Sequence, residues 1–319
     1  HQPIPKMLLK NGQGQDVLLI QPNRWGSHLG LVDLSIVHAD GRWKVEGKDS
    51  RLLEVNASVE QDARVTQLTQ VHHDTTLTYV SAKLGTTRAA FTGGYAARYV
   101  DSALADLINT VQEEAAEENG HPVDFSLAAL FTDEGMLPAG DITLRDAYSI
   151  YIYDNTLYVM EINGSILRRA LELNAGYFAQ WNPSAPPDAS RPESAKVGNV
   201  QNYNWDLYSR IEYGYDLTKP VGSRLTHLRY KGLDVRDDQS FRIAINNYRA
   251  SGGGGYAMFK EGTVLWTSAD GVRDYVARYI QGHPNLDPSD VNTCNFSLTP
   301  DLYGYYFQAS LGPVKCSAP

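Results

Sequence analysis

Asn246-Asn247-Tyr248-Arg249-Ala250-Ser251-Gly252-Gly253-Gly254-Gly255-Tyr256 is the stretch on which fold and function both turn. The apolar run 241–246 leads into it and reads as a strand. Four glycines between two tyrosines follow. Glycine adopts positive φ without steric penalty and lets a backbone approach a ligand closely. The competing reading is an ordinary glycine-rich turn. A P-loop is excluded, because no Gly-Lys-Ser/Thr closes the run. Gly252, Gly254 and Ala257 satisfy a dinucleotide fingerprint only trivially, and no helical pattern opens before Gly262.

Upstream, Asn202-Tyr203-Asn204-Trp205-Asp206 sets two aromatics among amides, just after the proline-rich loop 181–199. Such a cluster suits a platform for a flat ring, where stacking one base on one aromatic is worth about 1–3 kcal/mol. Core packing is the alternative for any single Trp. Further back, 150–153, a turn at Asp154-Asn155 and 156–162 read as a hairpin. Asn163 caps a helix that turns Ile166, Leu167, Ala170 and Leu171 inward and ends at Gly176.

The spacing of Leu104, Leu107, Ile108, Val111 and Ala115 predicts a helix capped by Asp101 and closed by Gly120. The run 125–131 reads as a buried strand, and 209–217 and 225–230 are strand-like. Val272, Tyr275, Val276, Tyr279 and Ile280 mark a last helix, capped by Thr267 or Ser268. Near the N-terminus, 17–20, 29–37 and 42–46 read as strands, too few to form a domain alone. A mostly polar helix then starts at Ser58, with Gln61 completing a capping box, and runs toward Gly85. A helix of that character bridges two domains.

A chain of 319 residues suggests roughly two domains. Lys and Arg number 28 against 37 Asp and Glu, a net charge of −9, so a nucleic-acid duplex is not an expected partner. The 42% hydrophobic content is enough for a sizeable core. No apolar run approaches the ~20 residues of a membrane span. Neither Gly-x-Ser-x-Gly nor His-Glu-x-x-His occurs. Asp141 and Asp146 read as acids entering a short helix, where its N-terminus favours them, rather than as metal ligands. His72 and His73 are adjacent and read as solvated helix surface. Cys294 and Cys316 form one disulfide in an oxidising compartment or two buried thiols otherwise, and the residues alone leave both open. The chain opens His1-Gln-Pro-Ile-Pro, without Met or a leader pattern.

The stretch 246–254 resembles the signature of the C-terminal domain of the 5'-nucleotidase superfamily, most closely its bacterial bifunctional 2',3'-cyclic-nucleotide 2'-phosphodiesterase/3'-nucleotidases. Trp25-Gly-Ser-His-Leu-Gly30, Ile150-Tyr-Ile-Tyr-Asp-Asn-Thr-Leu157, Ala175-Gly-Tyr-Phe178, Tyr203-Asn-Trp-Asp206 and Tyr215-Asp-Leu217 agree with it in order. The fold class this implies is α+β. A mixed α/β nucleotide-binding domain is expected at 91–319. The last strands of an α/β/β/α metallophosphoesterase domain precede it at 1–55, with a bridging helix at 56–90.

The resemblance further implies a base held between two aromatic rings. Tyr248 matches one ring and Trp205 the other, with Tyr203 as the near alternative. Asn247, Arg249, Gly252, Gly253 and Gly254 belong to the same substrate-binding loop. Gly254 stands where sister 5'-nucleotidases carry an acid, and their Gly-Gly-Ile-Arg motif is missing near 130–138. Both departures favour the cyclic-nucleotide and 3'-nucleotidase branch over 5'-nucleotidase or UDP-sugar hydrolase specificity. The intact enzymes hold two divalent metal ions, such as Mn, Co or Zn. No Asp-x-His, Asn-His-Asp/Glu or Gly-His-x-His occurs here. His1 falls where the last metal-binding His would stand, and His28 is a possible neighbour of the catalytic centre. The expectation is a C-terminal portion that binds a nucleoside or nucleotide, works with its own N-terminal catalytic domain and holds no dinuclear centre itself. A stand-alone nucleoside-binding module is the alternative. Family members act in the periplasm, in secreted form or at the cell surface, which suits a Cys294–Cys316 disulfide.

Overall fold

In the computed structural model, which describes residues 3–311, contacts gather the chain into two units, His1–Thr75 and Thr76–Pro319. In the first, β1 (Pro3–Lys10) pairs antiparallel with β2 (Asp16–Pro22), and β3 (His28–Ala39) with β4 (Arg42–Glu54). Asp40 and Gly41, at φ 54° and 72°, make the tight turn of the second hairpin. β1 is unforeseen, and as an edge strand it tolerates Pro3 and Pro5. Apolar side chains stay bare on both hairpins, among them Leu8, Leu9, Leu34, Ile36, Trp43 and Val45.

The polar helix α1 (Ala63–Val80) buries no residue, as its weak apolar stripe suggests. Asp62 rather than Ser58 starts it, its Oδ1 accepting from Val65 N at 2.8 Å. Ser58 is held instead by the Asn56 side chain. The helix stops at Val80, and Gly85 lies in the strand that follows.

The second unit continues with β5 (Lys83–Thr87), α2 (Ala96–Tyr99), α3 (Ala103–Glu118), β6 (Phe125–Ala129), β7 (Gly140–Thr143), α4 (Leu144–Ile150), β8 (Thr156–Asn163) and α5 (Gly164–Ala175). Then come β9 (Asp206–Tyr208), β10 (Ile211–Asp216), β11 (Leu225–Tyr230), β12 (Leu233–Asp234), β13 (Ser240–Asn246) and α6 (Asn247–Ala250). It closes with β14 (Thr263–Gly271), α7 (Val272–Gly282), β15 (Asn285–Leu286), β16 (Phe296–Thr299) and α8 (Leu302–Leu311). The central sheet has the order β14-β8-β13-β6-β9. Smaller sheets run β12-β11-β10-β16 and β15-β5-β7.

Helix α3 turns the expected apolar stripe inward, and its buried polar face is also used. Asn109 Nδ2 donates to Leu207 O at 3.0 Å, Gln112 Nε2 to Ser126 Oγ at 2.8 Å, and Ser209 Oγ to the Glu113 carboxylate. Each bond satisfies a group that would otherwise be buried without a partner. Ser102, not Asp101, caps α3. Gly271 precedes α7 without a side-chain cap; Ser268 Oγ accepts from Leu157 N instead.

The hairpin expected at 150–162 is half right. Thr156–Asn163 is a strand, but Ile150 ends a helix and 151–155 is irregular. A reciprocal cap causes this: Asp146 Oδ2 accepts from Thr143 N at 2.7 Å, and Thr143 Oγ1 accepts from Asp146 N. That box starts α4 seven residues before the tyrosines, so they leave a helix rather than form a strand.

Candidate functional site

Strand β13 lies mid-sheet, antiparallel to β8 and parallel to β6. Its last residue, Asn246, accepts from Arg249 N at 2.8 Å and caps the single turn α6. That turn lifts Tyr248 off the sheet end, 41% exposed. The glycines behind it make room for protein groups. A Cβ on Gly253 would lie 2.6 Å from the Tyr248 ring. On Gly254, at φ 70°, it would lie 2.1 Å from Asn204 Oδ1 and 2.4 Å from Arg249 Nη1.

Three tyrosines from distant segments meet here. The Tyr203 ring stands edge-on to Tyr248 at 6.1 Å and to Tyr153 at 6.2 Å, interplanar angles 86° and 88°. Phe131 backs Tyr153 at 5.0 Å. Tyr203 is the shared neighbour of Tyr153 and Tyr248, and the three rings form one aromatic cluster. Tyr153 is 37% exposed and is not among the site candidates that the sequence offered. Its signal was present in Tyr153-Asp154-Asn155, which reads as a hairpin turn.

Arg249 ties the two loops together rather than facing solvent. Its Nε and Nη2 meet the Asp206 carboxylate at 2.8 and 3.1 Å, and Nη1 donates to Gly253 O at 2.6 Å. Nη2 also reaches Tyr203 O. Its guanidinium stacks 4.0 Å over the buried Tyr256 ring. Burial disfavours its charge, but the facing Asp206 carboxylate outweighs that and raises its pKa. Nη1 and Nη2 donate to protein acceptors and Nε faces Asp206, so Arg249 positions Tyr203 and the glycine loop and does not itself reach outward. Asn247 is half-buried in the same turn.

Trp205 is a correction. It was expected to be the second stacking ring, yet it is 0% exposed. Phe178 at 4.8 Å, Tyr177 at 5.7 Å, Tyr215 at 5.8 Å and Phe296 at 6.1 Å surround it. Trp205 is the centre of an aromatic core and presents no face to a ligand. Tyr203, the near alternative, is the residue of that pair that meets Tyr153 and Tyr248.

Asp133 Oδ1 accepts from Arg98 Nη1 at 2.5 Å and from Asn202 Nδ2 at 2.8 Å. Arg98 is wholly buried, and its Nη2 donates to Leu130 O and Thr132 O at 2.9 Å. A second acid pair lies elsewhere. Asp101 Oδ2 accepts from Asn295 N at 2.7 Å and Asp106 Oδ2 from Thr293 N at 2.8 Å, fixing the loop that carries Cys294. Burial raises both, and with the added charge of Asp101 the Asp106 carboxyl is pushed up to about 8. Cys316 lies outside the described residues.

The implied dinuclear centre needs a ring of His and Asp donors. Among the described residues, no group of three or more His, Cys, Asp or Glu side chains could hold a metal. His28 Nδ1 faces Ser27 Oγ at 3.0 Å, and His1 lies outside the described residues. These residues do not fit two cations. Asp141 pairs with Lys83 at 2.6 Å, and Asp146 is spent on its cap.

Comparison with known proteins gives a consistent picture. The trifunctional nucleotide phosphoesterase protein YfkN of Bacillus subtilis is 28% identical over 319 residues, spanning 92% of this chain and 21% of that protein. The 2',3'-cyclic-nucleotide 2'-phosphodiesterase/3'-nucleotidase of Haemophilus influenzae is 27% identical over 327 residues, spanning 89% of this chain and 49% of that protein. The chain thus covers half or less of these relatives' length. A solved 5'-nucleotidase structure from Staphylococcus aureus superposes with a TM-score of 0.69 at 20% identity, over 92% of this chain and 54% of that one. The family described as 5'-nucleotidase, C-terminal domain, matches residues 80–261, more than half of the chain, and the chain belongs to it.

Proposed function

We propose that this chain is the nucleoside-recognition portion of a metal-dependent phosphoesterase that hydrolyses 2',3'-cyclic nucleotides and 3'-nucleotides. One observation carries the reading: Tyr153, Tyr203 and Tyr248 meet in one part-exposed aromatic cluster at the end of the central sheet, which we read as a slot for a flat ring. A purine stacked on the exposed rings of Tyr153 and Tyr248 fits this reading. Relatives named as cyclic-nucleotide phosphodiesterase/3'-nucleotidases support the substrate class. The bare apolar hairpins of the first unit support a packing partner, which we assign to the protein's own N-terminal catalytic domain. That domain would supply both metal ions. We place the protein outside the cytoplasm, in the periplasm or secreted. No helix among the described residues is long and apolar enough to cross a membrane.

Calorimetric titration with adenosine and 3'-AMP tests the slot. Tyr153→Ala and Tyr248→Ala should each lose about 1–3 kcal/mol, or roughly ten- to a hundredfold in affinity. Tyr248→Phe should lose little, because the stacking face remains. Unchanged affinity in both alanine variants would remove the slot from nucleoside binding.

A further inference from the structure

A cavity lies apart from the aromatic cluster. The segment 89–103 and the turn 287–292 border a solvent-open cavity of about 710 Å³, within the range of small-molecule sites. Tyr153, Tyr203 and Tyr248 do not line it. Much of its wall is small side chains, among them Ala90, Ala96 and Ala97, and Tyr303 of α8 also lines it. Such a wall leaves room for an apolar body. The carboxylates that line it are Asp101 and Asp287, and no Lys, Arg or His is among the lining residues. Asp287 is exposed and already provided for. Hydrogen bonds from Ser289 lower its pKa, and the charge of Arg88 adds to that.

Asp101 lacks a counter-charge. It is 5% exposed. Its Oδ1 accepts from Ser102 N at 3.0 Å, and its Oδ2 from Asn295 N at 2.7 Å and Thr293 Oγ1 at 3.4 Å. None of these donors is charged. Its charged neighbours are acids: Asp106 shares the Thr293 hydroxyl with it, and Glu113 adds its charge to Asp106. Glu113 has Arg210 at 2.6 Å, but neither Asp101 nor Asp106 has an ion pair among the described residues. A buried carboxylate is ordinarily paired or neutralised. An ammonium entering the cavity would meet Asp101 with a charge-assisted hydrogen bond, whereas a phosphate or carboxylate would meet a like charge. A metal ion is disfavoured, because among the described residues no group of three or more His, Cys, Asp or Glu could hold one. We propose that this cavity is a second ligand site, which takes a small organic cation with its ammonium on Asp101 and its apolar body on the alanine wall.

Three probes that share one apolar body test it: 2-phenylethylammonium, 2-phenylethanol and 3-phenylpropanoate. Each is titrated by ligand-observed NMR into the 319-residue chain at low ionic strength and a pH that favours the ionised carboxylate, about 8. The ammonium should bind at least about tenfold tighter than the alcohol, the size of one charge-assisted hydrogen bond. The carboxylate should bind more weakly than either. Asp101→Asn keeps the shape and drops the charge, and should bring ammonium and alcohol to within about threefold of each other. The net charge of −9 attracts any cation to the surface, and Ala96→Leu controls for that. It leaves every charge in place and fills part of the cavity, so it should weaken the ammonium by about tenfold or more. Its melting temperature should stay within about 5 °C of native. Should Asp101→Asn not fold, Ala96→Leu decides together with salt, which must weaken the ammonium and spare the alcohol in the native chain. Failure of the ammonium to bind the native chain overturns the proposal, as does equal binding of ammonium and alcohol. An ammonium advantage that survives Asp101→Asn, or an ammonium affinity unchanged in Ala96→Leu, overturns it as well.

Discussion

Trp205→Ala separates core from site. The ring is wholly buried among four other aromatics, so its removal empties the middle of that cluster. Changes of this kind destabilise by about 3–5 kcal/mol. At roughly 2–4 °C per kcal/mol for a unit of this size, the melting temperature should fall by about 6–20 °C. Trp205 Nε1 has no hydrogen-bond partner among the described residues, so Trp205→Phe sacrifices no bond and should cost much less. Adenosine affinity, titrated at 10–15 °C below the variant's own melting transition, should stay within about threefold of native. Tyr248→Ala is the mirror experiment: a half-exposed ring gives a small thermal shift and a large loss of affinity. Thermal melts and calorimetry on both variants complete the test. A tenfold affinity loss in Trp205→Ala with an unchanged melting temperature would refute the assignment of Trp205 to the core.

Three further outcomes follow from the geometry. Gly254→Ala should destabilise by at least about 1–2 kcal/mol from its positive φ alone, and more from the clash with Asn204 and Arg249; Gly120→Ala, at φ 79° with open space around it, is the strain-only control in the same denaturant melts. Burial and the charge of Asp101 hold the proton on Asp106 up to about pH 8, while the unfolded chain releases it near 4. The folded state binds more protons across that interval, so stability should fall as pH rises through it, and Asp106→Asn should flatten much of that slope in melts at stepped pH; an unchanged slope defeats the argument. Free-thiol titration of the unreduced, denatured protein should find no thiol, and two titratable thiols would refute a Cys294–Cys316 disulfide.

What the sequence could disclose depended on how far apart the deciding partners lie. The helices α3, α5 and α7 were readable because their apolar stripes and termini sit within one segment. Tyr248 was readable for the same reason: strand, ring and glycine run are contiguous. The neighbours of Trp205 are not. Tyr177 and Phe178 precede it by nearly thirty residues and Phe296 follows it by ninety-one. A Trp among amides looks the same at a rim or in a core until those rings are placed, and the motif's polarity argued for the rim. Tyr153 failed the opposite way. The alternation Ile150-Tyr-Ile-Tyr153 carries the period of a strand, but the Thr143–Asp146 box had already committed the preceding residues to a helix. A local cap overrode a local pattern, and the chain leaving that helix carried Tyr153 to the edge of Tyr203. The glycine run shows why function and packing were hard to separate. Its glycines are required because the Tyr248 ring, Asn204 and Arg249 occupy the space a Cβ would need. The side chains that exclude a Cβ are those that orient the exposed ring, so a substitution there that harms binding must also harm stability. Only exposed positions such as Tyr153 and Tyr248 can separate the two.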